Sequence, residues 1–216
     1  MPRFQLKRDA VERYAALAPV IPVVTVDDPA DAVSLASTLV EAGLPVVEIT
    51  LRTPSALRAI EAVARGVPDA VIAAGTVIRP GQIESAQNAG ARLLVTPGTS
   101  TGMAEALAEA VLPAMPAAAT VGEALHLHEL GFHILKFFPA VPSGGAAWLK
   151  AVSAPMPHVR FCPTGGVDEA SAPAFLALPN VACVGGSWMV PKDAVAAADW
   201  VRIGRLARDA AALPRG

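Results

Sequence analysis

Eight short apolar runs recur along the chain at nearly even spacing, and this rhythm limits the possible folds more than any other feature. The runs begin roughly every 20 to 26 residues, and their β-branched or apolar composition is typical of strands. They read VIPVVTV, VVEIT, VIAAGT, LLVTP, PAMPA, ILKFF, VRFCP and VACVGG, from near residues 20, 46, 71, 93, 113, 134, 159 and 181. The fifth is the weakest, because its prolines cannot donate to a strand ladder.

Alanine-rich segments between the runs, such as DAVSLASTLVEAG, favour helix. Proline after Asp28 and a capping box of Thr120 with Glu123 mark helix starts. Glycines suited to helix ends follow several segments, at Gly43, Gly66, Gly90 and Gly131. Apolar strands joined by crossover helices predict a parallel sheet, and eight such units close naturally into a (β/α)8 TIM barrel. An open doubly wound sheet remains the alternative.

No linker or low-complexity tract divides the 216 residues, so we predict a single (β/α)8 barrel domain over 1–216. The segment before Val20 reads as an N-terminal flanking helix. The segment after Trp200 reads as a second flanking helix at the other end of the chain.

Composition excludes several classes of partner. The formal net charge is -2, which offers no basic field for nucleic acid. The apolar runs are too short and broken to cross a membrane, and the charged amino terminus does not resemble a secretory signal. Cys162 and Cys183 form no CxxC pair and lie in apolar segments, so we expect reduced core thiols. We therefore expect a cytoplasmic protein with neither a nucleic-acid partner nor a membrane partner.

The sixth run, HILKFFPA, places Lys136 inside an apolar strand. The chain has four lysines against 13 arginines, and lysine, unlike arginine, can lose its proton when burial strips it of water. An uncharged amine attacks a ketone to form an imine. The position of this lysine therefore favours amine chemistry.

Glu48 lies inside the second run. Alternation along the strands would turn both Glu48 and Lys136 into one cavity. The carboxylate could then move protons as a general acid and base. A buried structural ion pair between these two side chains is the open alternative, because charges in protein interiors are usually paired.

Glycine pairs follow the last two runs, as PTGG at 163–166 and VGGS at 184–187. In barrels, the loops after the seventh and eighth strands often bind phosphate through backbone N–H groups. We therefore expect a phosphorylated ligand at the carboxyl ends of the strands, although these glycines could instead only turn the chain. His126 and His128 would point to different sides of a helix, and no third ligand completes a set, so we expect no metal site.

Six motifs, EITLRT, AAGTV, VTPG, ILKFFPA, RFCPTGG and VGGSWMVP, occur in this order. Over residues 17–210, the sequence closely resembles the bacterial 2-keto-3-deoxy-6-phosphogluconate (KDPG) aldolases, which also act on 4-hydroxy-2-oxoglutarate (KHG). The resemblance implies a metal-free class I aldolase that needs no cofactor, built as a homotrimer of (β/α)8 barrels and serving the Entner–Doudoroff pathway. It implies cleavage of KDPG to pyruvate and D-glyceraldehyde 3-phosphate, and of KHG to pyruvate and glyoxylate.

By motif match, the resemblance makes Lys136 the Schiff-base lysine and Glu48 the general acid and base. It implies that Arg52 and Thr76 hold the pyruvate carboxylate. Further implied substrate-binding residues line the pocket or cradle the phosphate, and these are Pro97, Phe138, Thr164, Gly165, Gly166, Gly186 and Ser187. This chain departs from the family pattern where Ala117 replaces a glycine and where Val141 replaces a glutamate.

Several alternatives stay open. The enzyme could prefer KHG or the galactonate epimer. A barrel with a static Lys136–Glu48 pair could bind phosphorylated metabolites without catalysis, and a metal-dependent aldolase could use the same fold. The apolar content of 53% and the positive mean hydropathy indicate more apolar surface than a monomer of this size usually exposes, and a homo-oligomeric interface would cover it.

Overall fold

The computed structural model describes residues 3–216, in which helices alternate with short parallel strands. The strands are β1 (Val20–Val24), β2 (Val46–Thr50), β3 (Val71–Gly75), β4 (Leu93–Val95), β5 (Ala114–Met115), β6 (Ala117–Ala118), β7 (Ile134–Phe137), β8 (Arg160–Pro163) and β9 (Val184–Gly186). The helices are α1 (Arg3–Leu17), α2 (Pro29–Glu41), α3 (Ala56–Gly66), α4 (Gly81–Asn88), α5 (Thr101–Glu109), α6 (Val121–Glu129), α7 (Gly145–Ser153), α8 (Ala172–Leu176), α9 (Lys192–Ala196) and α10 (Trp200–Ala211). The two predicted flanking helices are confirmed as α1 and α10.

The strands form two parallel sheets. The larger has six strands in the order β5-β4-β3-β2-β1-β9, and the smaller has three in the order β6-β7-β8. Every pairing in both sheets is parallel. The predicted parallel α/β architecture is therefore confirmed, while the strands are divided between two sheets instead of forming one continuous eight-stranded ladder.

The division into two sheets results from the fifth apolar run, PAMPA, near residue 113. Pro116, which has no N–H to donate, separates β5 from β6, so each half pairs with a different neighbour. The second boundary between the two sheets lies between β8 and β9. Isolated bridges join these two regions, between Phe161 and Val181 and between Thr164 and Gly185.

Most helix boundaries follow the local sequence. Pro29 begins α2, and the Asp28 carboxylate accepts a hydrogen bond from the N–H of Ala30. The capping box of Thr120 and Glu123 is present at α6. The helix-end glycines Gly43, Gly90 and Gly131 have left-handed φ values of 94°, 97° and 94°. Gly66, by contrast, is the last residue of α3 and does not have a left-handed backbone.

The amino-terminal half of the strand layer encloses a packed apolar cluster. Its members come from most of the strands and from α1, including Val11, Ile21, Val46, Leu93 and Ile134, and all of them are buried. Because Val11 and Ala15 of α1 belong to this cluster, α1 covers the amino ends of the strands. A larger cluster fills the space between the strands and the outer helices.

Polar contacts hold α1 in place. Lys7 Nζ donates to the carbonyls of Ala108 (2.6 Å) and Ala110 (3.1 Å) at the end of α5. Arg8 Nε donates to His133 Nδ1 at 3.2 Å. The Glu12 carboxylate contacts two side chains: one oxygen lies 2.9 Å from His133 Nε2, and the other pairs with Arg160. This network ties α1 to the starts of β7 and β8.

Both cysteines, Cys162 and Cys183, are free and buried, as predicted. Across the part of the chain that the structure describes, none of the helices combines the length and the apolar character needed to cross a membrane.

Candidate active site

Lys136 and Glu48 meet inside the strand layer. Lys136 Nζ lies 2.8 Å from Glu48 Oε1 and 3.1 Å from Oε2, and each side chain is only 5% exposed. Lys136 comes from β7 and Glu48 from β2, which belong to different sheets. Strand alternation predicts that the two side chains meet, and they form a buried, doubly hydrogen-bonded ion pair.

Lys136 lines a cavity of about 140 Å³ at the carboxyl ends of the strands, whereas Glu48 is not among the residues that line it. The Lys136 ammonium also lies 5.6 Å from the centre of the Phe138 ring. The cavity is lined by Val23, Arg52, Lys136, Phe138, Thr164, Gly165, Gly166, Val167, Gly186 and Ser187. Eight of these ten residues are among the predicted site residues. The structure therefore brings most of the predicted site together around the lysine.

Arg52 carries positive charge into the cavity from the turn after β2. Its Nε donates a hydrogen bond to Thr76 Oγ1 at 3.1 Å, so Thr76 contacts the guanidinium group that lines the cavity. Thr76 follows β3 and has a φ of 57°, a value that is rare for a β-branched residue. Strained backbone of this kind is concentrated at functional sites in proteins.

The opposite side of the cavity consists of two glycine-rich turns. Gly165 and Gly166 have φ values of 98° and 81°, which side-chain-bearing residues rarely adopt. A methyl group on Gly165 would lie 3.1 Å from the Phe138 ring and from the backbone of Pro139. These turns therefore bring main chain, instead of side chains, to the cavity wall, where backbone N–H groups can face an anion.

Thr164 and Cys162 occupy the layer next to the lysine. Cys162 is the direct neighbour of Lys136 across the β7–β8 ladder, and its Sγ lies 3.8 Å from Thr164 Oγ1. A hydrogen bond with the Cys183 thiol lowers the pKa of Cys162, and the positive charge of Lys136 lowers it further. Cys162 and Thr164 are both buried, so the layer next to the lysine is closely packed.

Some predictions for the site differ from the observed cavity. Pro97, which follows β4 and is half-buried, does not line this cavity, and neither do Glu48 and Thr76. Val23 and Val167 line it without having been predicted. Val23 is the direct neighbour of Glu48 across the β1–β2 ladder, so the strand register would have revealed it. Its apolar side chain gave no chemical signal in the sequence.

Among residues 3–216, no three His, Cys, Asp or Glu side chains come together in a way that could hold a metal ion. His126 and His128 lie near the end of α6, whereas Lys136 lies on β7. The polar groups that line the cavity are the amine of Lys136, the guanidinium group of Arg52, hydroxyl groups and the main chain, with the Glu48 carboxylate beside the amine.

Known proteins with similar sequences are aldolases. The family model for KDPG and KHG aldolase matches residues 11–206. A KHG/KDPG aldolase of Escherichia coli K12 is 42% identical over 203 residues, which cover 94% of this chain and 95% of that protein.

Solved structures give the same answer. A KDPG aldolase from Legionella pneumophila, with pyruvate captured at low pH as a covalent carbinolamine intermediate, has a TM-score of 0.91 at 41% identity, covering 93% of this chain and 98% of that one. The KDPG aldolase of Zymomonas mobilis ZM4 with 3-phosphoglycerate has a TM-score of 0.91 at 40% identity, with coverages of 97% and 98%. With the family model matching nearly the whole chain, this chain belongs to the KDPG and KHG aldolase family.

Proposed function

We propose that the chain is a class I aldolase that cleaves KDPG to pyruvate and D-glyceraldehyde 3-phosphate. The observation that carries this proposal is the buried amine of Lys136, which lines a cavity and lies within 2.8 Å of a carboxylate. An imine-forming enzyme needs such an amine next to a proton-transfer group. The relatives named KDPG aldolase, one of them with a covalent pyruvate adduct, support the same reaction.

The first half of the reaction forms the imine. Lys136 Nζ, after giving up its proton, attacks the C2 ketone of the substrate and forms a carbinolamine. Loss of water from C2 then leaves a protonated imine. Glu48 lies within hydrogen-bond distance of Nζ and is placed to take the amine proton and return it to the departing hydroxyl group.

The second half breaks the carbon–carbon bond. A base removes the proton from the C4 hydroxyl, the C3–C4 bond breaks, and its electron pair moves into the imine to give an enamine. D-glyceraldehyde 3-phosphate leaves at this point. Protonation of C3 restores the imine, and water then releases pyruvate and the free lysine. We assign the proton transfers to Glu48, because the carboxylate lies beside the reacting nitrogen.

Binding groups surround the amine on two sides. We propose that Arg52 holds the carboxylate of the substrate, with Thr76 orienting the guanidinium group. Phe138 lines the pocket beside Lys136, and we assign Pro97 to substrate binding on the motif match alone. The phosphate group would lie against the two glycine-rich turns, bound by Thr164, Gly165, Gly166, Gly186 and Ser187. The 3-phosphoglycerate complex of the Zymomonas relative supports a phosphate site in this cavity.

We also propose that the two sheets form one closed barrel with eight strand positions in a single domain over 1–216. The consecutive strands β5 and β6 would count as one interrupted position, and the bridges from β8 to the β9 region would complete the circuit. The proposed enzyme is a cytoplasmic homotrimer that needs no metal ion or cofactor. Exposed apolar side chains such as Ile78 (54% exposed) and Leu125 (46%) support an oligomer.

Reduction with borohydride in the presence of pyruvate tests the central claim. The expected product carries one reduced pyruvyl group on Lys136, located by mass spectrometry of peptides. Lys136→Arg is the matched control, because arginine keeps the positive charge beside Glu48 but forms no imine. Failure of the unmodified chain to gain the adduct would exclude the mechanism.

The same protein separates the alternatives. A barrel that only binds phosphorylated metabolites would bind 3-phosphoglycerate without cleaving KDPG, and its ion pair would be purely structural. A metal-dependent enzyme would lose activity in EDTA, whereas we expect activity to be retained. Turnover of KDPG, its galactonate epimer and KHG, each measured as pyruvate release, would establish the preferred substrate. We expect KHG to be cleaved to pyruvate and glyoxylate as a second reaction, as the name of the E. coli relative suggests.

A further inference from the structure

The Glu48 carboxylate lies directly over a position that has no side chain. A Cβ atom placed on Gly75, the last residue of β3, would lie 2.6 Å from Glu48 Cγ and 2.8 Å from Cδ, and closer still to Oε1. All three atoms belong to Glu48, and all three distances are below 3.0 Å, which real Cβ atoms essentially never show. The space that glycine leaves at this position is therefore the space that the carboxylate fills.

Backbone geometry does not explain the glycine. Gly75 lies in an extended strand and is absent from the residues with left-handed φ, unlike Gly165 and Gly166. An alanine could adopt the same backbone, and glycine weakens a strand interior unless another group approaches closely. The alternate residues Val71, Ala73 and Gly75 lose size step by step toward the carboxyl end of β3. Close approach of Glu48 is the reason for glycine that the structure offers.

We propose that Gly75 is a positioning residue, whose missing side chain allows the Glu48 carboxylate to lie against Lys136 Nζ. This inference rests on the proposed function, because it matters for catalysis only if Glu48 transfers protons. The carboxylate is 5% exposed and is held by hydrogen bonds of 2.8 and 3.1 Å to Lys136. A methyl group at position 75 would push this flexible side chain away from the amine before it moved any backbone.

The consequence is a separation of two steps. In Gly75→Ala, Lys136 keeps its place on β7 and can still form an imine with pyruvate. Removal of a C3 proton from that imine, which needs the displaced carboxylate, becomes slow. General acid–base catalysis typically contributes about 100-fold or more to a rate, so the loss should be of that order.

Two measurements on Gly75→Ala test this separation. Endpoint labelling of Lys136 by pyruvate and borohydride should match that of the unmodified chain. Exchange of the pyruvate methyl protons with D2O, measured by NMR, should slow by about 100-fold. The rate of KDPG cleavage should fall by a similar factor. Gly102→Ala is the matched control, because a Cβ there meets nothing within 4 Å, and it should leave both rates unchanged. Unchanged proton exchange in Gly75→Ala would overturn the proposal, as would a variant that fails to fold, since the backbone would then have yielded instead of Glu48.

A second pair of variants tests the steric contact by itself. Gly75→Ala should lower the urea midpoint of the unmodified chain but not that of Glu48→Ala, in which the crowded atoms are missing. Equal shifts in both backgrounds would contradict the contact. This comparison needs no catalysis. If borohydride labelling failed even in the unmodified chain, the proposed function would fall, while the positioning of Glu48 by Gly75 would still be tested.

Discussion

Arg52 Nε donates a 3.1 Å hydrogen bond to Thr76 Oγ1, and it does so toward a residue whose backbone is held at a φ of 57°. The hydroxyl group is therefore fixed by both its main chain and its partner, and the guanidinium group is oriented before any ligand arrives. Preorganised groups of this kind reduce the ordering cost of binding.

Thr76→Val should weaken substrate binding, because it keeps the shape of the side chain but leaves Arg52 without its partner. A lost hydrogen bond of about 1.4 kcal/mol corresponds to a KM for KDPG that is about tenfold higher, with a much smaller change in kcat. Thr76→Ser keeps the hydroxyl group and serves as the control. Equal KM values for the two variants, measured by pyruvate release, would show that the hydrogen bond has no role.

Lys136→Ala should destabilise the protein as well as inactivate it. Removing one partner of a buried ion pair leaves the Glu48 charge unpaired, which costs about 3 to 5 kcal/mol of unfolding free energy. A second substitution, Glu48→Gln, removes that charge and should recover part of the loss. Urea unfolding of the single and double variants measures both effects, and a fully stable Lys136→Ala would contradict the paired arrangement.

Gly186→Ala should impair use of the phosphorylated substrate. A Cβ at this position would overlap the Trp188 indole ring, whose Cη2 would lie at 3.1 Å with two other ring atoms closer. The ring and the turn that carries Ser187 must then shift. We expect the KM for KDPG to rise about tenfold, the loss of roughly one hydrogen bond to phosphate, while the KM for KHG changes little. Gly122→Ala, where a Cβ meets nothing within 4 Å, is the control. Parallel changes for both substrates would argue against a phosphate-specific role.

Stability should decrease at mildly acidic pH because of His133. Burial lowers the pKa of His133 from its ordinary value, and the neighbouring charge of Arg8 lowers it further, while Glu12 opposes them and Arg160 adds a smaller lowering. The unfolded chain therefore binds a proton more readily than the folded one. The contribution is fully present above about pH 6.5 and is lost as pH falls toward the pKa of the folded state.

His133→Gln removes this titration. Unfolding free energies measured from neutral to mildly acidic pH should fall less steeply for His133→Gln than for the unmodified chain. Identical slopes would mean that other groups dominate the acid sensitivity. The geometry agrees with a neutral ring, because Nδ1 accepts from Arg8 Nε and cannot also carry a proton there.

Much of the fold could be predicted because strand and helix alternate with strong local signals. The starts of β1, β2, β3, β4 and β7 match the β-branched or apolar runs. The eighth run begins near residue 181, but β9 starts only at Val184, because Ala182 and Cys183 lead into the strand without ladder pairing. The split at Pro116 was visible in the sequence as a weak strand, although which neighbour each half would pair with depends on three-dimensional register.

The site could be predicted where a charged side chain interrupts an otherwise apolar strand. A lysine in an apolar strand and a glutamate in another stand out, and strand alternation predicts that they face each other, as they do in the ion pair. The contact between Gly75 and Glu48 did not stand out, because a missing side chain has no chemical type. Val23 likewise looks like any core valine until the β1–β2 register is known. What could not be predicted is therefore the steric fit between strands.

The packed cluster under α1 separates the amino ends of the strands from the cavity beside Lys136. Val11, Ile21 and Ile134 belong to this cluster, whereas Lys136 lines the cavity at the carboxyl ends. We expect the aldehyde fragment and the water that later hydrolyses the imine to pass through this same cavity. Departure of the first product would thereby admit the reagent that frees the second.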